Sequence, residues 1–275
     1  SYQETAIMPR FSANLWYLFQ DLDLMDRFAA AAEAGFKGVE FHFPYRWPAA
    51  ELAEKLAQHG LAQVQINAPC GDWDAGDRGI AAVPGRQGEF QDSIVMAIEY
   101  AQALGCPLVH VMAGVMGDEE GDRGGWRETF IGNLIFAAGA MEKEGIGVLV
   151  EPLNPKDVPG YLIGNTAEAL SVINAAGHRN LFLQYDMYHA AMNGEDVLAG
   201  VRDNLGLIRH MQVAGVPGRR EPDGKEGGGI DYPALFRAMD DLGYNRCSGC
   251  RYRPPAGPAE GPGAPRPSVV GGWPG

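Results

Sequence analysis

A barrel of eight parallel strands alternating with helices is the fold this sequence predicts, and three observations predict it. Units of strand, long loop and helix recur seven times and are followed by an eighth strand-like run. The strand-like runs are apolar almost throughout, as parallel strands covered on both faces must be. The loops are lopsided: helix-to-strand turns are little more than a glycine, whereas strand-to-helix loops span 70–89, 115–125, 155–164 and 216–231. In a parallel barrel such loops gather at the C-terminal face of the sheet, so the same asymmetry predicts where a site lies. A chain of 275 residues suits one such domain, which typically takes about 250.

The strand-like runs are FSANLW (11–16), GVEFH (38–42), AQVQINA (62–68), PLVHVMAG (107–114), GVLVEPLN (147–154), LFLQYDMYH (181–189), IRHMQVAG (208–215) and CSGCRYRP (247–254). Between them lie apolar stripes at helical spacing. The first is Leu24, Phe28 and Ala32, stopped by Gly35; the second is Leu52 and Leu56, stopped by Gly60. Ile94, Ile98, Ala101 and Leu104 precede Gly105, and Phe130, Leu134, Ala138 and Met141 precede Gly145. Asn165 and Glu168 have the spacing of a capping box before Leu170 and Ile173. Leu198, Val201 and Leu205 form the sixth stripe; Leu235, Met239 and Leu242, ended by Gly243, form the seventh. A stripe closed by glycine is the expected helix signature. A doubly wound sheet would need a glycine-rich phosphate turn after the first strand, and LWYLFQDLD has none.

The chain changes character after Arg253. Of residues 254–275, seven are proline and six glycine, too little apolar surface to offset chain entropy. The reading is a single (β/α)8 TIM-barrel domain over 1–253 with an irregular or degraded eighth helix. An irregular Pro/Gly-rich tail covers 254–275. The side left poorly covered near the tail is a candidate face for a homo-oligomer.

Composition narrows the function. A formal charge of −13 repels nucleic acid and anionic lipid, so neither is an expected partner. No apolar run reaches the roughly 18 residues a membrane span needs, and SYQETAIMPR has no signal pattern. A cytoplasmic protein is expected. The four cysteines then read as reduced, incidental thiols. Cys247 and Cys250 have CxxC spacing but sit inside a strand-like run, not at a helix N-terminus where a redox pair belongs.

Three later strands end on side chains able to hold a hard cation: Glu151, Asp186 and Gln212. Oxygen donors of this kind suit magnesium or manganese. Their separations of 35 and 26 residues are each about one strand-loop-helix unit, so the three can converge at one mouth. Acids inside apolar runs are costly to bury without partners, which favours a site. His189, three residues beyond Asp186, stands at the same rim for substrate oxygens. Arg219 or Arg220, on the loop after Gln212, can hold a substrate carboxylate. Arg78, on the third loop, is a similar candidate. Glu40, ending the second strand, is placed to order the site from beneath, and His42 can line the pocket.

These segments resemble the hydroxypyruvate isomerase family, within the xylose-isomerase-like barrels, over about residues 8–254. NAPCGDWDAGDRG (67–79) carries the resemblance most specifically. RFSANLWYLF (10–19), GVEFHFPY (38–45), VEPLNPKDVPGY (150–161), QYDMYHAAM (184–192), QVAGVPGRREPD (212–223), IDYPALF (230–236) and GCRYRP (249–254) join it in order. The resemblance implies interconversion of hydroxypyruvate and 2-hydroxy-3-oxopropanoate, or isomerisation of four-carbon 2-oxo acids, through a metal-stabilised enediolate with magnesium or manganese. It assigns Glu151 as one of two acid–base glutamates. It also places Glu151, Asp186 and Gln212 at three of four metal-coordinating positions.

The fourth position, which is also the second acid–base glutamate, falls on Arg251: the family's block reads GCEYRP. Arginine stays protonated and cannot act as a base. It can neutralise an enediolate or pair with Glu151 and fill the metal's place. A non-catalytic binder of small carboxylates on the same barrel is the alternative. Residues 245–248 and the tail depart from the family as well. Together these point to a C-terminal stretch altered by a shifted reading frame, a sequence error or drift.

Overall fold

The computed structural model describes residues 10–117, 122–222 and 229–254. Eight parallel strands close into a barrel in sequence order. They are β1 (Arg10–Asn14), β2 (Gly38–Glu40), β3 (Ala62–Asn67), β4 (Leu108–His110), β5 (Gly147–Val150), β6 (Leu181–Asp186), β7 (Ile208–Val213) and β8 (Cys247–Cys250). β8 returns to pair with β1, Arg10 opposite Cys247 and Ala13 opposite Cys250.

The predicted stripes become the covering helices. These are α1 (Leu24–Glu33), α2 (Ala49–His59), α3 (Gln87–Leu104), α4 (Arg123–Glu142) and α5 (Thr166–Ala176), then α6 (Met187–Met192), α7 (Val197–Asn204) and α8 (Tyr232–Asp241). Phe130, Leu134, Ala138 and Met141 are all fully buried beneath α4. In α1 the buried set is Leu24, Phe28 and Ala31, with Ala32 half-buried. α2 ends on Gly60 at φ 61°, the left-handed cap its sequence predicts.

Three expectations need correcting. The predicted strands are longer than the paired ones: LFLQYDMYH splits after Asp186 into β6 and the short helix α6. The Asp186 carboxylate accepts from the Tyr188 N–H at 3.0 Å and turns the chain into a helix there. The Asn165 box is only half formed. Asn165 accepts from the Glu168 N–H at 3.0 Å, but the Glu168 carboxylate takes the Gly164 N–H and Arg123. Strand interiors are also less apolar than expected. Ser12, Gln63, Gln65, Gln184, His210 and Ser248 are all buried; Gln65, Gln184 and His210 bond Asn67, Gln212 and Glu40 at the strand ends above them.

The eight helices include two, α6 and α7, between β6 and β7. An eighth barrel helix would follow β8, and that stretch lies outside the described residues, as does the predicted tail beyond Pro254. No disulfide joins the four cysteines, and burial pushes the Cys250 thiol up. No helix among the described residues is long and apolar enough to cross a membrane.

Candidate active site

Every strand delivers a polar side chain to the C-terminal mouth. Asn14, Glu40, Asn67, His110, Asp186 and Gln212 lie on the last turns of β1–β4, β6 and β7; Glu151 and Arg251 follow β5 and β8 by one residue. All eight are buried. The predicted convergence is therefore present: Glu151, Asp186, Gln212 and Arg251 meet at one point.

Arg251 is that point. Its Nη1 donates to Glu151 Oε1, to Gln212 Oε1 at 2.8 Å and to Asp186 Oδ2 at 3.2 Å. Arg219 donates from Nη2 to the same Asp186 oxygen. Two carboxylates thus face two guanidiniums, and their environments separate them. Burial raises the Glu151 carboxyl, Arg251 opposes this and Asp186 pushes it up again, leaving it at about 7. Burial also raises Asp186, but Arg219, His189 and Arg251 outweigh it and hold that carboxyl below its ordinary value. A pair of carboxyls driven apart in this way has one member able to exchange protons near neutrality.

Arg219 reaches inward because its backbone is left-handed, at φ 56°, directly after Gly218 at φ 89°. That conformation costs roughly 1–2 kcal/mol for a residue with a Cβ. The guanidinium is held between the Tyr188 and Tyr17 rings, 4.6 and 5.3 Å from their centroids. Arg220, the other candidate on this loop, is exposed.

His189 lies on α6. Its Nδ1 faces two donors, the Asn154 N–H at 3.1 Å and the Asn154 amide at 2.7 Å. The amide orientation follows from its oxygen, which accepts from the Lys156 and Asp157 N–H groups. Nδ1 therefore accepts, and Nε2 faces a further donor, the Arg219 guanidinium at 3.3 Å, so both ring nitrogens meet N–H groups. Burial and Arg219 keep this imidazole neutral. Nε2 lies 3.7 Å from Asp186 and 4.0 Å from Glu151.

A cavity of 450 Å³ opens above Glu151. His189, Arg219 and Arg251 line it with Glu151, and aromatic rings of Trp16, Tyr17, Phe43 and Trp73 form its upper wall. Arg78 lines the rim, stacked 3.7 Å over Trp73 and donating to the Trp73 and Asp77 carbonyls. His42 also lines the cavity, with its Nε2 unpartnered. Asp186 and Gln212 lie behind the two arginines and do not line it. Glu40 does not line it either. It sits beneath, accepting from Asn14 at 2.7 Å, Gln212 at 2.7 Å and His210 at 2.5 Å. Burial raises the Glu40 carboxyl, but His210 and the amide donors bring it below its ordinary value.

Sequence reasoning missed Asn14, Asn67, His110 and His210. His110 Nδ1 lies 3.3 Å from Asn67 Oδ1 and 3.5 Å from Glu151 Oε2, so it carries a proton between two acceptors. Burial lowers its pKa to about 3 and keeps it neutral. For Asn14, Asn67 and His110 the available signal was a polar residue closing each strand; His210 sits in the middle of β7 and carries no such signal.

Ligand-type atoms of Glu151, Asp186 and His189 lie within 4.8 Å of one another, close enough to share an ion. The donor set as built does not fit a resident divalent cation. Nε2 of His189 already faces the Arg219 guanidinium at 3.3 Å, a cation where an ion would have to approach. The shared point among Glu151, Asp186 and Gln212 is taken by a guanidinium nitrogen. Divalent ions of this class need several oxygens at about 2.0–2.6 Å, and the fourth oxygen donor implied by the resemblance is absent.

The chain matches the family model for the xylose isomerase-like TIM barrel over residues 28–265. It belongs to that family. The 2-oxo-tetronate isomerase of Cupriavidus necator is 45% identical over 93% of this chain and 97% of its own length. The hydroxypyruvate isomerase of Escherichia coli is 41% identical, covering 90% and 94%. A crystal structure titled as an AP endonuclease, family 2, from Brucella melitensis superposes with a TM-score of 0.87 at 44% identity, covering 90% of this chain and 95% of that one. Relatives of this xylose isomerase-like barrel thus include enzymes named as isomerases of small oxo acids.

Proposed function

We propose that the chain is an isomerase of small oxo acids that exchanges a carbonyl with the hydroxyl on the neighbouring carbon. The observation that carries this reading is the Glu151 carboxyl, raised to about 7, on the floor of a cavity beside two guanidiniums. Relatives named for the four-carbon acid 2-oxo-tetronate are the more similar, at 45% and 42%. Relatives named for hydroxypyruvate include one at 41% and one, named as putative, at 38%. A 450 Å³ cavity accommodates either acid. The charge of −13 speaks against DNA as the substrate.

Glu151, as carboxylate, takes the proton from the hydroxyl-bearing carbon. The C–H electron pair moves into the carbon–carbon bond and the carbonyl oxygen becomes an oxyanion. Arg251 and Arg219 stabilise that developing charge from fixed positions. Glu151, now protonated, returns the proton to the former carbonyl carbon while the carbonyl re-forms on its neighbour. The hydroxyl proton passes between the two adjacent oxygens, so atoms and charge balance. His189 lines the cavity beside Arg219 and orders that guanidinium against the substrate. Arg219, or Arg78 at the rim, holds the substrate carboxylate. Glu40 positions Gln212 and so the floor of the site.

The test is to incubate the chain with hydroxypyruvate and with 2-oxo-tetronate in heavy water and follow both by proton NMR. Loss of substrate C–H signal and appearance of the isomer are expected, and Glu151→Gln should lower the rate about 10²–10⁴-fold. Binding of either acid with neither exchange nor product would replace this reading with that of a non-catalytic carboxylate binder.

A further inference from the structure

We propose that Arg251 is the built-in cation of this barrel, occupying the point a divalent ion would need, so that the site holds no resident metal. The inference concerns occupancy and stands whether or not the chain turns over substrate.

Three oxygens from three neighbouring strands aim at one nitrogen, Arg251 Nη1. A metal ion entering that point would have to displace it, because an N–H cannot serve as a ligand. The side chain has little freedom to leave. Its residue is only 7% exposed. Its backbone N–H donates to the Val213 carbonyl at 3.2 Å and its own carbonyl accepts from Arg219 Nε at 3.3 Å. The Tyr17 ring lies 5.7 Å from its guanidinium carbon. Swinging it out would leave the buried Glu151 without its guanidinium partner, which is strongly unfavourable.

Charge arithmetic agrees. Glu151 and Asp186 are already matched by Arg251 and Arg219, and Asp186 Oδ2 is engaged by both. A divalent ion added to this set would leave a buried excess of two positive charges. A carboxylate at 251 would instead leave three acids around one point, which is the arrangement such ions select. The guanidinium thus supplies what the ion would supply, a fixed positive charge facing substrate oxygens, without needing to be loaded.

The probe is Mn2+ alone, titrated into the 275-residue chain with free ion followed by electron paramagnetic resonance. The native chain should leave Mn2+ free up to about millimolar concentration. Arg251→Glu should bind one ion per chain at least about 10²-fold more tightly. Adding Glu151→Gln to that variant should weaken binding again, which locates the ion. One Mn2+ bound by the native chain as tightly as by Arg251→Glu, and lost in Glu151→Gln, would overturn the proposal. A second measurement needs no variant at position 251. The native melting temperature should be the same in Mn2+ and in chelator, since an ion that binds only the folded form must raise it. A rise abolished by Glu151→Gln would equally overturn the proposal.

Discussion

Gly249 on β8 lies directly against the carboxylate of Glu40 on β2: a Cβ added at Gly249 would meet both Glu40 oxygens at 2.5 Å. The glycine is required here for space. It lets a buried acid cross the barrel mouth to reach His210 and Gln212, and through Gln212 it sets the floor beneath Arg251.

Gly249→Ala should therefore push Glu40 off its three partners. Overpacking and unpaired buried polar groups together cost about 2–4 kcal/mol. Urea unfolding should show a lower midpoint with an unchanged slope. An unchanged midpoint would mean the Glu40 cluster does not support the fold.

Arg251→Met tests the network from the other end. It removes a cation from between two buried carboxylates, and breaking a buried pair in this way costs about 3–5 kcal/mol. Thermal unfolding at neutral pH should fall accordingly. A variant as stable as the native chain would show that the bonds to Glu151 and Asp186 contribute no net stability.

A single acid–base carboxylate predicts a traceable proton. With substrate deuterated at the carbon that loses its hydrogen, some label should reach the neighbouring carbon in the product, because Glu151 both removes and returns it. Mass spectrometry at low conversion measures this. Label lost wholly to solvent even in the first turnovers would argue against one sheltered carboxylate.

The loop carrying Trp73 and Arg78 over the cavity should be acid-sensitive. Arg86 donates to both Asp77 oxygens at 3.0 and 2.9 Å, and Asp77 also accepts from the Asp72 N–H. The Arg86 hydrogen bond holds the Asp77 carboxyl below its ordinary value. A carboxyl lowered on folding contributes stability above its unfolded pKa and loses it as pH falls through the folded one. Arg86→Met should thus cost up to roughly 1 kcal/mol at pH 7 and almost nothing near pH 2. Paired melting curves at both values check the sign; a penalty that grows in acid would refute it.

Much of this site was legible in one dimension. Eight apolar runs of strand length, and long loops only after strands, imply a parallel barrel with its mouth at the C-terminal ends. Period and spacing also place Glu151, Asp186 and Gln212 on consecutive strands, because strand ends repeat with the strand-loop-helix unit. Asn14, Asn67 and His110 close their strands in the same manner. Each is individually unremarkable, so none stands out without its neighbours. His189 was read as strand because an apolar run does not show where a carboxylate caps the chain into a helix.

What the linear pattern determined, then, was which strand and which end of it each polar side chain occupies. What only the tertiary structure decided was distance across the closed ring. Arg251 reaches Glu151 from three strands away, and Glu40 reaches His210 across 170 residues, because closure brings β8 to β1. Local sequence encodes direction through its period; separations across a barrel depend on how all eight strands tilt and stagger together.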